Sequence, residues 1–355
     1  MSGAVPLTPP TNDTSGARRL VLHVGPHKTA STYIQENLTA ARAALWDAGW
    51  LYPEDPVDNR SGHHGLGRTP SDYLAHDAPH RAVLDGWASA VEQSGHNMVL
   101  STEELCRWGR DDLDRLADTL GFTTYEVAYV IRDPLDLFPS LWAEEVKHGH
   151  TIGLADRFAR LALQPLTARI FNPMHDLRTW LENDRVRVRA IPFDTLKTRN
   201  MDIFEHLTGS VLNLPGLRVT KTKPVNRKYP LEVTEFLRLI TLMHHGGQTK
   251  CGPDLRMRFS TFLTPNYIRD IKALMINDAR HARRNIPIHA NQGFQKTLEA
   301  SLRRHLSQSW TLEITTDMCL FSYEKRVFPY YNEFVLQTVD PVRKAADAIL
   351  AKMYA

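Results

Sequence analysis

The sequence predicts an α/β protein: a central, mostly parallel sheet with helices on both faces. Two observations carry this. Short apolar runs alternate with helix-period segments in the order strand-loop-helix, strand, strand-helix, helix, strand-helix. The first run stops at a glycine and passes through a tight polar turn into a helix, as doubly wound folds do where they hold phosphate.

The elements follow in order. Residues 20–25, LVLHVG, form an apolar run ending at Gly25, a buried strand. PHKTAST is the turn, and from Ser31 the residues Ile34, Leu38, Ala41 and Leu45 recur with helical spacing. Residues 97–101, NMVLS, read as a second buried strand, and 111–120 as a short helix with aspartates at the favourable end. Residues 125–131, YEVAYVI, are the clearest strand. Asp133-Pro134 then starts a helix to about His148 as an N-cap followed by proline. Asn172-Pro173 repeats that signal for 173–183. In 185–191, RVRVRAI, charge alternates with valine, so one strand face is solvated, and Asp194 caps a helix ending near Gly209. Beyond about 212 the chain reads as helical: 231–245, 265–284, 292–307 and a last helix from Asp340-Pro341 with the stripe Val342, Ala345, Ile349 and Met353. The organisation expected is a tail at 1–18 rich in Pro, Thr and Ser, a core at 19–230, and a largely helical extension at 231–355 packed on the core.

Composition narrows the function classes. The 355 residues carry 43 basic and 40 acidic side chains, a net +3 that gives no support for non-specific nucleic-acid binding. Three cysteines, Cys106, Cys251 and Cys319, lie far apart with no C-x-x-C spacing, which fits a reducing compartment and argues against a zinc cluster. No apolar run reaches the roughly 18 residues of a membrane span, and the first residues lack a signal-peptide stretch. The expectation is a cytoplasmic protein without an integral membrane segment.

VGPHKTAST does not match the nucleotide-binding pattern G-x-x-x-x-G-K-[ST]. Lys28 follows Gly25 by three residues rather than six, and Ala30 stands at the second glycine position. The physics is still that of a phosphate cradle: backbone N–H groups at a helix N-terminus, joined by hydroxyls and a lysine. The alternative is an ordinary polar turn. A second element, RDPLDLFPS, puts Arg132 at a strand's carboxyl end and Ser140 eight residues on, positions from which both could clamp one anionic group. Alternatively Arg132 caps a neighbouring helix or pairs with Asp133 or Asp136.

Together, HVGPHKTAST and VIRDPLDLFPSLW resemble the 5′-phosphosulfate and 3′-phosphate motifs of sulfotransferases that use 3′-phosphoadenosine 5′-phosphosulfate (PAPS), in the bacterial and glycan-modifying style. A weaker likeness runs through IPFDTLKTRNMDIFEHLTG. The resemblance covers about residues 19–230, and departs from the family at Ala30, where glycine is usual. It implies a P-loop-like three-layer fold. It also implies that Lys28 contacts the phosphosulfate bridge, that Thr29, Ala30, Ser31 and Thr32 bind the 5′-phosphate with His27 beside them, and that Arg132 and Ser140 hold the 3′-phosphate. PAPS would be the sulfuryl donor and adenosine 3′,5′-bisphosphate (PAP) the product, with no metal required. The acceptor would be a small molecule, a lipid-linked sugar or a glycan.

The acceptor needs a base, and family members use His or Glu. His64 is the first candidate and Glu103 the second, with His63, Glu104 and His27 behind them. His63 and His64 sit in NRSGHHGLGR, a polar, glycine-rich loop suited to a substrate-facing base or to two solvated rings; Glu103 and Glu104 follow a buried strand and could simply favour a helix N-terminus. The basic segment 218–228 could close over the cofactor phosphates or draw in an acidic acceptor, or it is a solvated loop, and within it Asn226-Arg227 resembles an Asn-Arg element of bacterial relatives. The aromatics of 321–334 read first as core and second as an acceptor platform. Arg280, Arg283 and Arg284, read as a helix end, are given no function. Two other functions compete: a nucleotide-dependent kinase, disfavoured by the misplaced lysine, and a non-catalytic PAPS- or nucleotide-binding protein.

Overall fold

The structure is a computed structural model that describes residues 18–58, 60–163, 167–218, 229–244, 254–288, 292–308, 312–316, 320–321 and 326–355. The strands are β1 (Leu20–Val24), β2 (Trp50–Leu51), β3 (Asn97–Ser101), β4 (Tyr125–Ile131), β5 (Val186–Pro192), β6 (Arg283–Ile288), β7 (Leu312–Ile314) and β8 (Arg326–Tyr331). Six of them form one all-parallel sheet, in the order β2-β3-β1-β4-β5-β7, flanked by helices. The central β1 is buried along its whole length, as a strand covered on both faces must be.

The residues that face the first helix explain its stripe. Val21, Val99, Ala128, Val130 and Ile191 share a core with Ile34, Leu38, Ala41 and Leu45. The helical run breaks at Ala41 into Ser31–Ala40 and Arg42–Asp47, yet the stripe stays on one side. At the amino-terminal side of the sheet, charge runs from strand to strand. Arg19 bonds Glu126 at 2.6 Å, Arg189 bonds Glu126 at 2.6 Å, and Arg189 reaches Glu313 at 3.1 Å. The alternation seen in RVRVRAI thus places arginines where carboxylates of both neighbouring strands meet them.

Among the described residues the chain divides into two compact units, neither continuous in sequence. The first falls within Met1–Asp133, Pro173–Val225 and Lys296–Ser322 and holds the six-stranded sheet; the second falls within Pro134–Asn172, Asn226–Gln295 and Tyr323–Ala355. The core therefore does not stop at residue 230: residues 134–172 leave it and β7 returns to it. The second unit centres on the helix Leu231–His244, where Val233, Phe236, Leu237, Leu239 and Ile240 are buried. Arg238, also fully buried, bonds Glu235 at 2.7 Å, Glu333 at 2.8 Å and the Thr151 carbonyl at 3.1 Å.

The C-terminal third is less helical than its sequence suggests. The helix expected over 265–284 ends as Pro265–Asn277, and Arg283–Ile288 becomes β6, antiparallel to β8 with Arg283 opposite Tyr331. Its run of Asn, Ile, Pro and Ile suits an edge strand better than a helix. Arg283 and Arg284 are therefore strand residues. In the aromatic segment, Phe328 and Tyr331 are buried in the second unit's core whereas Phe334 is exposed. No described helix is long and apolar enough to cross a membrane.

Candidate functional site

The site grows from the turn after β1. A Cβ added to Gly25 would lie 3.3 Å from the Val130 carbonyl oxygen and 3.4 Å from Val130 Cβ, so the bare glycine lets the turn run hard against β4. The Thr29 hydroxyl donates to the Pro26 carbonyl at 2.7 Å and closes the turn. Lys28 has φ 72° and Ala30 φ 64°, both left-handed, on either side of Thr29, whose φ is negative. Backbone alternating between right- and left-handed conformations is the kind that turns successive N–H groups to one side, the form anion-binding concavities take. The helix Ser31–Ala40 starts there, with Ile34 N–H donating to the Ala30 carbonyl at 3.0 Å. Its positive end adds to the same field. Ala30 bears its Cβ in a conformation that favours glycine, a strain of about 1 kcal/mol.

Strand order locates the crevice. From β1 the chain moves to the β3 side of the sheet, and from β4 to the β5 side, so the order reverses between the carboxyl ends of β1 and β4. Arg132 stands at that end of β4. Its Nη1 donates to the Lys28 carbonyl, its guanidinium lies 5.2 Å over the Phe193 ring, and its Nε is 3.9 Å from Asp194 Oδ1. The other Asp194 oxygen accepts the Asp133 N–H at 2.6 Å. Arg132 thus ties the turn after β1 to the turn after β5. Ser140 lies on the helix Pro134–Lys147 of the second unit, its hydroxyl 3.5 Å from the Asp136 carbonyl. Asp136 holds Arg326 through both carboxylate oxygens, at 2.8 and 2.9 Å. Asn226 and Arg227 lie outside the described residues, as does nearly all of the basic segment.

The carboxyl end of β3 supplies the titratable groups. Thr102 N–H donates to the His23 carbonyl at 3.1 Å, and the turn Glu103–Arg107 follows. Burial pushes the Glu103 carboxyl up, but its own backbone N–H, the His64 and His27 rings and the Ser31 hydroxyl together hold it below the usual range. The Gln35 amide adds a bond to Glu103 Oε2 at 3.4 Å. His64 Nδ1 lies 3.7 Å from the same oxygen and 3.4 Å from Thr102 Oγ1. Burial lowers the His64 pKa against the opposing pull of Glu103, so the ring is neutral at pH 7. Glu104 pairs with His27 at 3.5 Å and Arg107 at 3.2 Å. Ser31, Glu103 and His64 are therefore linked in one string, with the His27–Glu104 pair beside it.

His63 does not belong to this set. It is 1% exposed; its N–H donates to the Ser101 carbonyl at 2.9 Å, its Nδ1 accepts the Ser101 N–H at 3.0 Å, and its Nε2 meets the Pro53 carbonyl at 3.1 Å. These partners fix the Nε2–H tautomer. Burial drives its pKa down to about 4. The segment read as a polar, glycine-rich loop is packed, because its glycines allow close approach: a Cβ at Gly67 would sit 2.8 Å from Glu104 Cβ. His63 is a structural ring, and the two adjacent histidines part company.

Sequence reading missed Gln35, Ser101, Phe193 and the site role of Asp194. Gln35 carried a signal: it stands four residues after Ser31, on the same helix face. Phe193 and Asp194 lay within the third motif but without a partner in sequence. No protein-family model matches this chain, and neither a curated protein nor a solved structure matches it.

Proposed function

We propose that the protein is a sulfotransferase with a P-loop-like core that moves a sulfuryl group from PAPS to a hydroxyl or amine of a small-molecule, lipid-linked or glycan acceptor. The observation that carries this reading is the meeting of the two sequence motifs: Arg132, from the second, bonds the carbonyl of Lys28, in the first, at the strand-order reversal. The concavity formed by alternating φ at Lys28, Thr29 and Ala30 fits a phosphate, and the neighbouring cations fit an anionic nucleotide.

Bound PAPS supplies the sulfuryl group and leaves as PAP. The chain's own residues do the rest. Backbone amides of Thr29 to Thr32, with the Ser31 and Thr32 hydroxyls, hold the 5′-phosphate, and Lys28 neutralises charge on the leaving side. Arg132 takes the 3′-phosphate. Catalysis of this kind is mostly positioning and charge stabilisation, in line and without a required metal. His64 takes the acceptor proton at Nε2, because its Nδ1 faces Thr102 and Glu103. The Glu103 carboxylate steadies the imidazolium that forms, the logic of a base oriented by a third group.

Thermal stabilisation tests the reading. PAP in EDTA at about 100 times its Kd should add about 2.7 kcal/mol. Stabilisation by Mg-ATP alone would replace this reading with the kinase. PAP binding without transfer of labelled sulfate to any acceptor pool, with Lys28→Ala as control, would leave a binding protein.

A further inference from the structure

We propose that Gln35 is the positioning residue of the Glu103–His64 pair: its buried amide fixes the carboxylate oxygen that His64 faces. The inference rests on the reading of that pair as the proton-handling groups. Gln35 and His64 converge on one atom, Glu103 Oε2, at 3.4 and 3.7 Å. The same Gln35 Nε2 donates to the Ser101 carbonyl at 3.4 Å. At 1% exposure, an amide carries a desolvation cost that only its hydrogen bonds offset, so its orientation is not free.

Both ends of this link are anchored. Ser101 is held through every polar group: its hydroxyl meets His23 Nδ1 at 2.7 Å, its N–H goes to His63 Nδ1 at 3.0 Å, and its carbonyl accepts the His63 N–H at 2.9 Å. Gln35 itself rides one helical turn behind Ser31, whose hydroxyl also bonds Glu103. One helix thus grips the carboxylate twice and ties it to the phosphate turn. The amide plane is set by Gly62: a Cβ there would fall 2.6 Å from Gln35 Cδ and 2.7 Å from Nε2, so only glycine leaves the amide its place.

Two variants test this by different routes. Gln35→Leu removes the amide at similar volume, and Gly62→Ala displaces it while keeping it present. The readout is the pH titration of the His64 imidazole by NMR in the full chain without ligand, its resonance assigned by loss in His64→Gln. Both variants should lower the His64 midpoint by roughly half a pH unit, because the carboxylate that raises it is no longer held beside it. With PAPS, turnover should fall about tenfold while PAP-induced stabilisation persists. An unchanged His64 titration in both variants overturns the proposal, and Gly62→Ala decides alone if Gln35→Leu does not fold. Failure of PAP to stabilise the wild type counts against the sulfotransferase reading instead, since the titration involves no nucleotide.

Discussion

His63 and His64 are neighbours with opposite fates, and acid separates them. His63 lies between the Tyr52 and Trp87 rings, at 5.0 and 5.3 Å, with both nitrogens in use. Its burial lowers the pKa from the ordinary 6.5 to about 4. Above pH 6.5 the ring is neutral in folded and unfolded chains alike, and its full contribution to stability is present. As pH falls from 6.5 towards 4, only the unfolded chain takes up the proton, so stability is lost through that window and the loss is complete below it. A gap of roughly two and a half pH units, at about 1.4 kcal/mol each, makes the complete loss about 3.5 kcal/mol. His23, bonded to Ser101 and likewise held at about 4 by burial, adds a loss of the same order. Chemical denaturation across pH 4 to 7.5 reads this directly, with His63→Gln as the comparison. The variant starts less stable at pH 7.5, but its stability falls less on acidification, by about 3 kcal/mol. Parallel curves for wild type and variant would refute the assignment of His63 as a buried neutral ring.

Three further outcomes follow from the same geometry. Ala30→Gly relieves a left-handed alanine and should raise stability by about 0.5–1 kcal/mol with PAP binding retained; a fall in melting temperature would contradict the strain at this turn. Arg132→Lys keeps the charge but loses the planar group that spans Lys28 and Phe193, so PAP affinity should drop on the order of tenfold or more by calorimetry; wild-type affinity would remove Arg132 from the phosphate site. Arg238→Met strands the buried Glu235 carboxylate and should cost about 3–5 kcal/mol in urea denaturation, much of it recovered in the double variant with Glu235→Met; additive losses would contradict the pairing.

Much of the first unit was legible because its signals are local. Apolar runs such as YEVAYVI have no solvated face to alternate with, and Gly25 marks where its strand ends, although the approach to Val130 that needs a glycine there appears only in the fold. The turn after β1 was likewise legible as a turn, since its residues are consecutive. What escaped depends on distant pairing. Gln35 reads as a polar interruption in a helix until Ser101 and Glu103 meet it. Asp194 reads as a cap until Arg132 lies beside it. His63 reads as a candidate base or a solvated ring because two histidines among glycines look polar, when the glycines make room for the side chains of Gln35, Tyr73, Thr102 and Glu104. The strand at Arg283–Ile288 was missed because its partner lies some forty residues later.

The order in which the sheet is composed has a consequence for synthesis. Five of its six strands, and the turns carrying Lys28, Glu103, Arg132 and Asp194, lie before residue 195, whereas the edge strand β7 is encoded at residues 312–314. On a ribosome that releases the chain from its amino end, the groups of the candidate site can gather while the last edge of the sheet is still missing. Until β7 arrives, β5 presents an open strand edge, with Arg187 and Arg189 along it. Positive charge on that margin discourages pairing with another nascent chain, and Glu313 later neutralises it as the sheet closes.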